Sequence, residues 1–155
     1  MPDAFAVMGM PRQPWVDAAG LKEKFREAAA RLHPDSPDGN TAAFRDLNEA
    51  FALLRDPARR LRHLVSLEFP DFAGKSAFIP DAGLFAEVHA ALANGDAEAV
   101  KAVQATVAAR LRQLDESLAR LAIEPQTLLR AAAEFAFLQK WNDQLREKAF
   151  RLANR

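Results

Sequence analysis

The 155-residue chain contains no cysteine, has only six glycines and carries no net charge. Without cysteine, disulfides, thiol catalysis and cysteine-ligated zinc are excluded, and the composition suits a reducing compartment. The glycines are scattered singly, so there is no glycine-rich loop of the kind that cradles phosphate groups. Because 21 basic residues offset 21 acidic ones, no overall field attracts nucleic acid or anionic lipid. Any binding driven by charge must therefore be local.

Long apolar runs are also missing from the chain. No stretch approaches the roughly 18 uninterrupted apolar residues of a membrane span, and Met1-Pro2-Asp3 has neither the basic nor the apolar region of a signal peptide. We therefore expect a cytoplasmic protein that does not bind membranes. Half of the residues are apolar (50%), which is enough to build the core of one domain or of two small ones.

Two apolar stripes at helical spacing occupy the first third of the chain. The first, with steps of four, three and four, comprises Leu21, Phe25, Ala28 and Leu32. The second, with steps of three, four and three, comprises Phe44, Leu47, Phe51 and Leu54. These spacings predict two amphipathic helices, the first capped near Asp17 and the second by Thr41. A connection of about eight residues usually makes such helices antiparallel neighbours, so we predict a helical hairpin.

His33-Pro34-Asp35 stands where the first of these helices must end, because Pro34 disfavours helix at His33. The tripeptide is thus predicted at the tip of the hairpin. His33 and Asp35 are an acid/base pair in principle, but such work needs a pocket that positions a substrate and perturbs a pKa. A convex, solvated tip lacks that pocket, so no catalytic residue is predicted. His63 and His89 have no partner at metal-ligand spacing, so neither a metal site nor a cofactor is predicted.

Shorter elements flank the hairpin. Residues before Asp17 predict a short helix that ends at Gly9 and Pro11. Asp56-Pro57 predicts an N-cap followed by proline at the first helical position, and hence another helix that runs through Val65. Residues 70–80 hold two prolines and a glycine without sustained periodicity, which is typical of a linker. We therefore divide the chain into an N-terminal domain (1–69), a linker (70–80) and a C-terminal domain (81–155).

The C-terminal domain shows three helical signals. The first, short one contains Leu84, Phe85, Val88 and Leu92 and stops at Asn94-Gly95. The second begins near Asp96 and has a seam close to the coiled-coil repeat, comprising Val100, Val103, Val107, Leu111, Leu114, Leu118 and Leu121. The third follows Glu124-Pro125 and continues to Leu152, with Asn142 as a polar residue in its seam. We predict an all-α fold in which two long antiparallel helices and one short helix form a three-helix bundle.

Basic side chains of the first hairpin helix leave two interpretations open. Lys22 and Arg26 lie one turn apart, with Lys24 and Arg31 on adjoining surface. Most such charges belong to a solvated helix face. The alternative is a contact with the acidic surface of a protein partner. Nucleic acid fits less well, because acidic residues interrupt the patch and no exposed aromatics are interleaved with it.

The order and spacing of these elements resemble a J domain. A basic helix ends in His33-Pro34-Asp35, and a second helix with Phe44-Arg45-Asp46-Leu47-Asn48-Glu49-Ala50-Phe51 precedes Asp56-Pro57. The chain resembles the HscB-type J-protein co-chaperones of iron–sulfur cluster assembly more closely than it resembles general J proteins. Residues 3–11 resemble the opening helix and turn of that family, and residues 60–67 resemble the end of its J domain. The predicted C-terminal three-helix domain, which ends in a segment containing residues 137–141, resembles the C-terminal domain of the family.

The resemblance implies a partner for this chain and the residues with which the chain binds it. In that family the J domain docks on a DnaK/HscA-type ATPase chaperone and stimulates its ATP hydrolysis. Residue by residue, it implies chaperone-binding roles for His33, Pro34, Asp35, Lys22 and Arg26. The protein itself is then a co-chaperone and not an enzyme.

A client site is implied as well, on the C-terminal domain. In the family this surface holds an IscU-type scaffold protein, and the matching residues are Leu84, Phe85, Val88 and Phe137. Apolar stripes also pack cores, so both roles stay open for these four residues. Two functional alternatives remain: a J-domain co-chaperone for a different client, and a helical adaptor with no chaperone role.

Three departures from the family pattern bear on these expectations. His89 and Leu92 stand where the family has acidic residues, which favours a different client or a more apolar client surface. Ser36 replaces the lysine or arginine that often follows His-Pro-Asp, and His63 replaces a usual tyrosine.

Overall fold

The computed structural model describes residues 2–76 and 78–155, and this part of the chain is helical without a strand. The helices are α1 (Ala4–Val7), α2 (Ala18–Leu32), α3 (Thr41–Arg55), α4 (Pro57–Glu68), α5 (Ala82–Asn94), α6 (Ala97–Ser117) and α7 (Pro125–Ala153), with a 3₁₀ turn at Leu118–Arg120. The predicted all-α fold is confirmed. Among the described helices, none combines the length and the apolar character needed to cross a bilayer.

Helices α2 and α3 form the predicted hairpin and bury their apolar stripes against each other. Leu21 and Leu47 are almost completely buried, and the rings of Phe25 and Phe51 stack with their centroids 4.2 Å apart. The N-cap of α3 differs from the prediction by one residue. Asn40 and not Thr41 caps the helix, because its side-chain oxygen accepts the N–H of the third helical residue at 3.0 Å.

Helix α1 packs against α3 and is fixed at both ends. At its start, Asp3 accepts the backbone N–H groups of Phe5 and Ala6 at 2.9 and 3.2 Å. At its end, Gly9 adopts a left-handed φ of +65°, which a residue with a Cβ rarely adopts. Phe5, fully buried, anchors the helix in the core.

Helix α4 begins as predicted. The side chain of Asp56 accepts the N–H of Ala58 at 3.0 Å, and Pro57 occupies the first helical position. The helix packs against α3 on one side and against α7 on the other. It therefore connects the N-terminal hairpin to the C-terminal helices.

Helices α6 and α7 form the predicted long antiparallel pair, and α5 packs against both. Val88, Val100, Val107 and Leu145 are fully buried between the three helices. The predicted seam of α6 was too long, since the α-helix ends at Ser117, and Leu121 follows the 3₁₀ turn. Asn142 lies in the seam as predicted, with a buried side-chain oxygen that has no hydrogen-bond partner within the described part of the chain.

One hydrophobic core contains residues from both the N-terminal and the C-terminal helices. Leu61 and Leu64 of α4 belong to the same buried cluster as Leu128 and Phe135 of α7. The predicted linker contains no helix among its described residues, yet the segments before and after it share this core. The division into two domains stays a prediction, and from the shared core we expect their stabilities to be coupled.

Candidate functional site

The predicted tripeptide lies at the tip of the α2–α3 hairpin. His33 N–H still donates to Ala29 O at 2.9 Å, but the backbone of His33 leaves the helix with φ −54° and ψ 138°. This extended conformation is the one that a following proline favours. The side chains of His33 and Asp35 are 50% and 92% exposed, so the motif is presented outward to solvent.

Hydrogen bonds within the loop fix the shape of this turn. Nδ1 of His33 accepts the N–H of Asp35 at 3.1 Å, and the N–H of Ser36 donates to His33 O at 2.8 Å. The hydroxyl of Ser36 donates to Ala30 O at 2.6 Å, which ties the loop to the last turn of α2. Because an accepting Nδ1 carries no hydrogen, the neutral imidazole has its proton on Nε2. We call residues 33–40 the tip loop.

The two chemically active side chains of the tip loop differ in how firmly they are held. The His33 ring contacts Phe44 of α3 edge to face, with the ring centroids 5.4 Å apart. The nearest atom of the Asp35 carboxylate is 3.7 Å from His33 Nδ1, which is too far for a hydrogen bond. Within the part of the chain that the structure describes, the Asp35 carboxylate accepts no hydrogen bond, so it can accept charge-assisted bonds from a partner. The arrangement suits recognition of another macromolecule on a convex surface.

Helix geometry places Lys22 and Arg26 on the same side of α2 as His33. At about 100° per residue, both lie within about 20° of His33 around the axis, and about 16 and 10 Å from it along the axis. Both side chains are exposed. Lys24 is on the opposite side, where its Nζ donates to Gly9 O at 2.8 Å. Lys24 is therefore not part of the basic surface beside the tip loop, which contains fewer basic side chains than the sequence predicted.

The structure separates the four predicted client residues into two pairs. Leu84 and Val88 are only 7% and 0% exposed and pack in the core between α5, α6 and α7. Of the two roles left open for these residues, the structure shows core packing, and a buried side chain cannot touch a client while the bundle stays closed. Phe85 is 43% exposed and Phe137 is half-buried, so these two remain accessible.

Phe85 and Phe137 belong to a larger group, here called the aromatic patch, of Phe78, Phe85, His89, Phe137 and Trp141. Phe85 contacts His89 and Trp141 with ring centroids 4.1 and 6.0 Å apart. Phe137 contacts Trp141 at 5.1 Å and Phe78 at 5.9 Å. Trp141 is 4% exposed and forms the base of the patch. Sequence reasoning missed Phe78, because it lies in a segment without periodicity that was predicted as a linker.

Two buried polar side chains serve the fold and not the tip loop. His63 accepts the N–H of Ala4 at Nε2, 3.0 Å away, and burial lowers its pKa although the charge of Asp3 opposes this. Arg60 donates to Pro14 O and Leu54 O at 2.8 and 2.6 Å, and burial lowers its pKa as well. Within the described residues there is no group of three histidine or acidic side chains arranged to hold a metal ion.

Comparison with known proteins identifies the region that contains the tip loop. Residues 3–63 match the family model described as the DnaJ domain. The chain contains a J domain. A co-chaperone protein HscB homolog of Bordetella avium is 41% identical over 70 residues, which are 40% of this chain and 42% of that protein. A homolog from Chromobacterium violaceum is 35% identical over 77 residues, 44% of each chain. The chain thus spans less than half the length of these relatives in the alignments.

The likeness in fold extends beyond the J domain. The structure of the chaperone HscB from Vibrio cholerae matches with a TM-score of 0.70 at 23% identity, covering 97% of this chain and 99% of that one. The predicted resemblance to HscB-type J proteins is therefore confirmed, by sequence in the J domain and by fold over the whole chain. Protein SIS1 of Saccharomyces cerevisiae is also similar to part of the chain, being 48% identical over 40 residues, which are 26% of this chain and 11% of that protein.

Proposed function

We propose that this protein is a co-chaperone whose J domain stimulates the ATPase of a DnaK/HscA-type chaperone. The observation that carries the proposal is the exposed His33-Pro34-Asp35 turn at the tip of a hairpin that matches the DnaJ domain model. This arrangement suits recognition of another macromolecule, because an exposed carboxylate and an exposed imidazole face solvent on a hydrogen-bonded turn. The catalytic groups for ATP hydrolysis then belong to the partner.

Each residue has a distinct physical role in this proposal. Asp35 accepts a charge-assisted hydrogen bond from a partner arginine, and Pro34 keeps His33 in its extended conformation. The Nε2–H of His33 remains available as a donor, because Nδ1 is occupied by the Asp35 N–H. Lys22 and Arg26 on the same side of α2 accelerate association with an acidic surface.

The test is ATP turnover by the host's DnaK/HscA-type chaperone with and without the purified protein. We expect wild type to raise turnover, and Asp35→Asn or His33→Gln to abolish the rise while helical circular dichroism stays unchanged. Asp38→Asn is the matched control, since it neutralises another exposed carboxylate of the tip loop and should retain stimulation. Equal stimulation by wild type, Asp35→Asn and His33→Gln would show that the turn is not the docking element. Absence of any effect by wild type would favour the helical adaptor.

We further propose that the client is an IscU-type scaffold protein held by the aromatic patch. The resemblance to HscB-type co-chaperones and the shared fold support this client, and the exposure of Phe85 and the partial exposure of Phe137 support the location. Because His89 and Leu92 replace acidic residues, apolar contact dominates over charge pairing at this surface. Binding should therefore depend only weakly on ionic strength.

Retention of an IscU-like protein from the same host on the immobilised co-chaperone tests this client. Phe85→Ala and Phe137→Ala should each weaken retention, since exposed aromatics at the centre of a patch contribute most to such binding. Phe150→Ala is the control, because Phe150 is 69% exposed but lies near the C-terminal end of α7, outside the aromatic patch. If wild type stimulates the chaperone but retains no IscU-like protein, the protein serves a different client.

A further inference from the structure

Gly39 occupies a crowded backbone position where the tip loop closes. Its N–H donates to Ser36 O at 2.9 Å, and the next N–H, that of Asn40, donates to Leu32 O at 3.1 Å. These bonds fold the end of the loop back onto its beginning. A Cβ added at Gly39 would lie 2.3 Å from His33 O and 3.0 Å from both Pro34 O and Ser36 O.

Glycine is needed at position 39 because a side chain has no room there, and not because the backbone angle is unusual. Its φ is not in the left-handed region, in contrast to that of Gly9. The atoms that a methyl group would meet are carbonyl oxygens of the main chain, which cannot swing aside as the end of a flexible side chain can. Any side chain at this position must therefore displace the turn that contains His33 and Pro34.

We propose that Gly39 is a positioning residue for chaperone docking, because its missing side chain lets the loop close against the carbonyls of His33, Pro34 and Ser36. This inference rests on the proposed function of the tip loop. The motif is exposed, so little side-chain packing fixes it, and its geometry depends on the hydrogen bonds that close the loop. Gly39 acts through these bonds and does not itself touch the partner.

Substitution at Gly39 should disturb the loop and leave the hairpin folded. Helix α3 has its own cap, in which Asn40 accepts the N–H of Ala43, and α2 and α3 are held together by buried residues such as Leu21 and Leu47. Neither depends on the contact between Gly39 and His33. The expected consequence is a native helix content with a displaced Asp35.

Gly39→Ala is compared with wild type and with Gly83→Ala as the matched control. Gly83 lies in α5, where an added Cβ would meet only the side-chain oxygen of Asp81, at 3.2 Å. Two quantities are measured: the co-chaperone concentration that gives half-maximal ATPase stimulation, and the backbone amide chemical shifts. For Gly39→Ala we expect that concentration to rise about tenfold or more, equivalent to about 1.4 kcal/mol of docking free energy. Amide shifts should change within residues 29–40, and the control should show neither effect.

The outcomes separate this inference from the proposed function. If wild type stimulates the chaperone and Gly39→Ala does so at the same concentration, the positioning role is wrong. If wild type stimulates no chaperone, the proposed function fails, and the docking role of Gly39 fails with it. The amide shifts then test only the structural step: unchanged shifts at Asp35 and Ser36 overturn the claim that Gly39 positions the turn, whereas displaced shifts support that claim.

A second variant keeps the inference testable if Gly39→Ala does not fold. Ser36→Ala adds no bulk and removes only the hydrogen bond from the Ser36 hydroxyl to Ala30 O. Loosening the same turn should raise the half-maximal concentration in the same direction but by less. Full potency despite displaced loop shifts would show that docking does not depend on this turn geometry, which would overturn the proposal.

Discussion

Replacing Phe135 with alanine tests whether the J domain and the C-terminal helices unfold as one unit. Phe135 lies on α7 and is 2% exposed, in the same buried cluster as Leu61 and Leu64 of α4. A cavity at this position removes contacts from both ends of the chain. If the shared core couples them, the loss of stability must appear in both.

The expected size of the effect is large compared with the stability of the protein. Truncating a buried phenylalanine to alanine costs about 3–5 kcal/mol, out of about 5–15 kcal/mol for a typical domain. With an m-value of roughly 2 kcal/mol/M in urea, the unfolding midpoint should fall by about 1.5–2.5 M. Phe135→Leu is a milder companion that leaves a smaller cavity and should give a smaller shift in the same direction.

The two tryptophans allow each end of the chain to be observed separately. Trp15 precedes α2 and is 39% exposed, whereas Trp141 is 4% exposed in α7. Urea unfolding is followed by fluorescence in the Trp15→Phe and Trp141→Phe backgrounds, each with and without Phe135→Ala. We expect coincident transitions that move together. Leu145→Ala, in the core of α5 to α7 only, calibrates the Trp141 signal. A Trp15 transition that stays in place while the Trp141 transition shifts would refute the coupling.

The remaining predictions concern His63, which is buried as the acceptor for the Ala4 N–H. Burial lowers the pKa of His63 in the folded state, so near and below the ordinary histidine pKa the unfolded chain binds more protons than the folded one. The contribution of neutral His63 to stability is therefore complete above about pH 6.5 and declines as the pH falls through that value. Urea unfolding across this range checks the slope. His63→Leu should flatten it and cost about 1–3 kcal/mol at neutral pH, because the buried Ala4 N–H loses its acceptor. His89→Leu, at an exposed position, leaves the Ala4 acceptor in place and should cost less stability at neutral pH. An unchanged slope in His63→Leu would contradict the reasoning.

Much of the fold follows from local patterns in the sequence. Apolar spacing located every long helix, and Asp56-Pro57 and Asp96 marked helix starts that the structure retains. The errors are local too. The spacing that continued to Leu121 could not show that α6 ends at Ser117, because periodicity does not distinguish an α-helix from a 3₁₀ turn followed by a loop.

The two candidate sites also differ in how well the sequence predicts them. The tip loop was predictable, because proline at a helix end and the motif itself are local signals. The aromatic patch was not, because an apolar stripe says which residues are hydrophobic and not which of them the neighbouring helices cover. Val88 and Phe85 are three residues apart on α5, yet one is fully buried and the other is 43% exposed. Only the packing of α6 and α7 decides between them.

Ser36 shows how one departure from the family pattern changes the physics of docking. Where relatives often carry a lysine or arginine, the Ser36 hydroxyl donates to Ala30 O and ties the loop to α2. Relative to the family pattern, Ser36 leaves the tip loop with one cation fewer and adds an internal hydrogen bond in its place. Under the proposed function, docking relies for its electrostatic steering on Lys22 and Arg26, and for its affinity on a turn that is ordered before the partner arrives. A preordered loop loses less conformational entropy on binding, which offsets part of the missing charge.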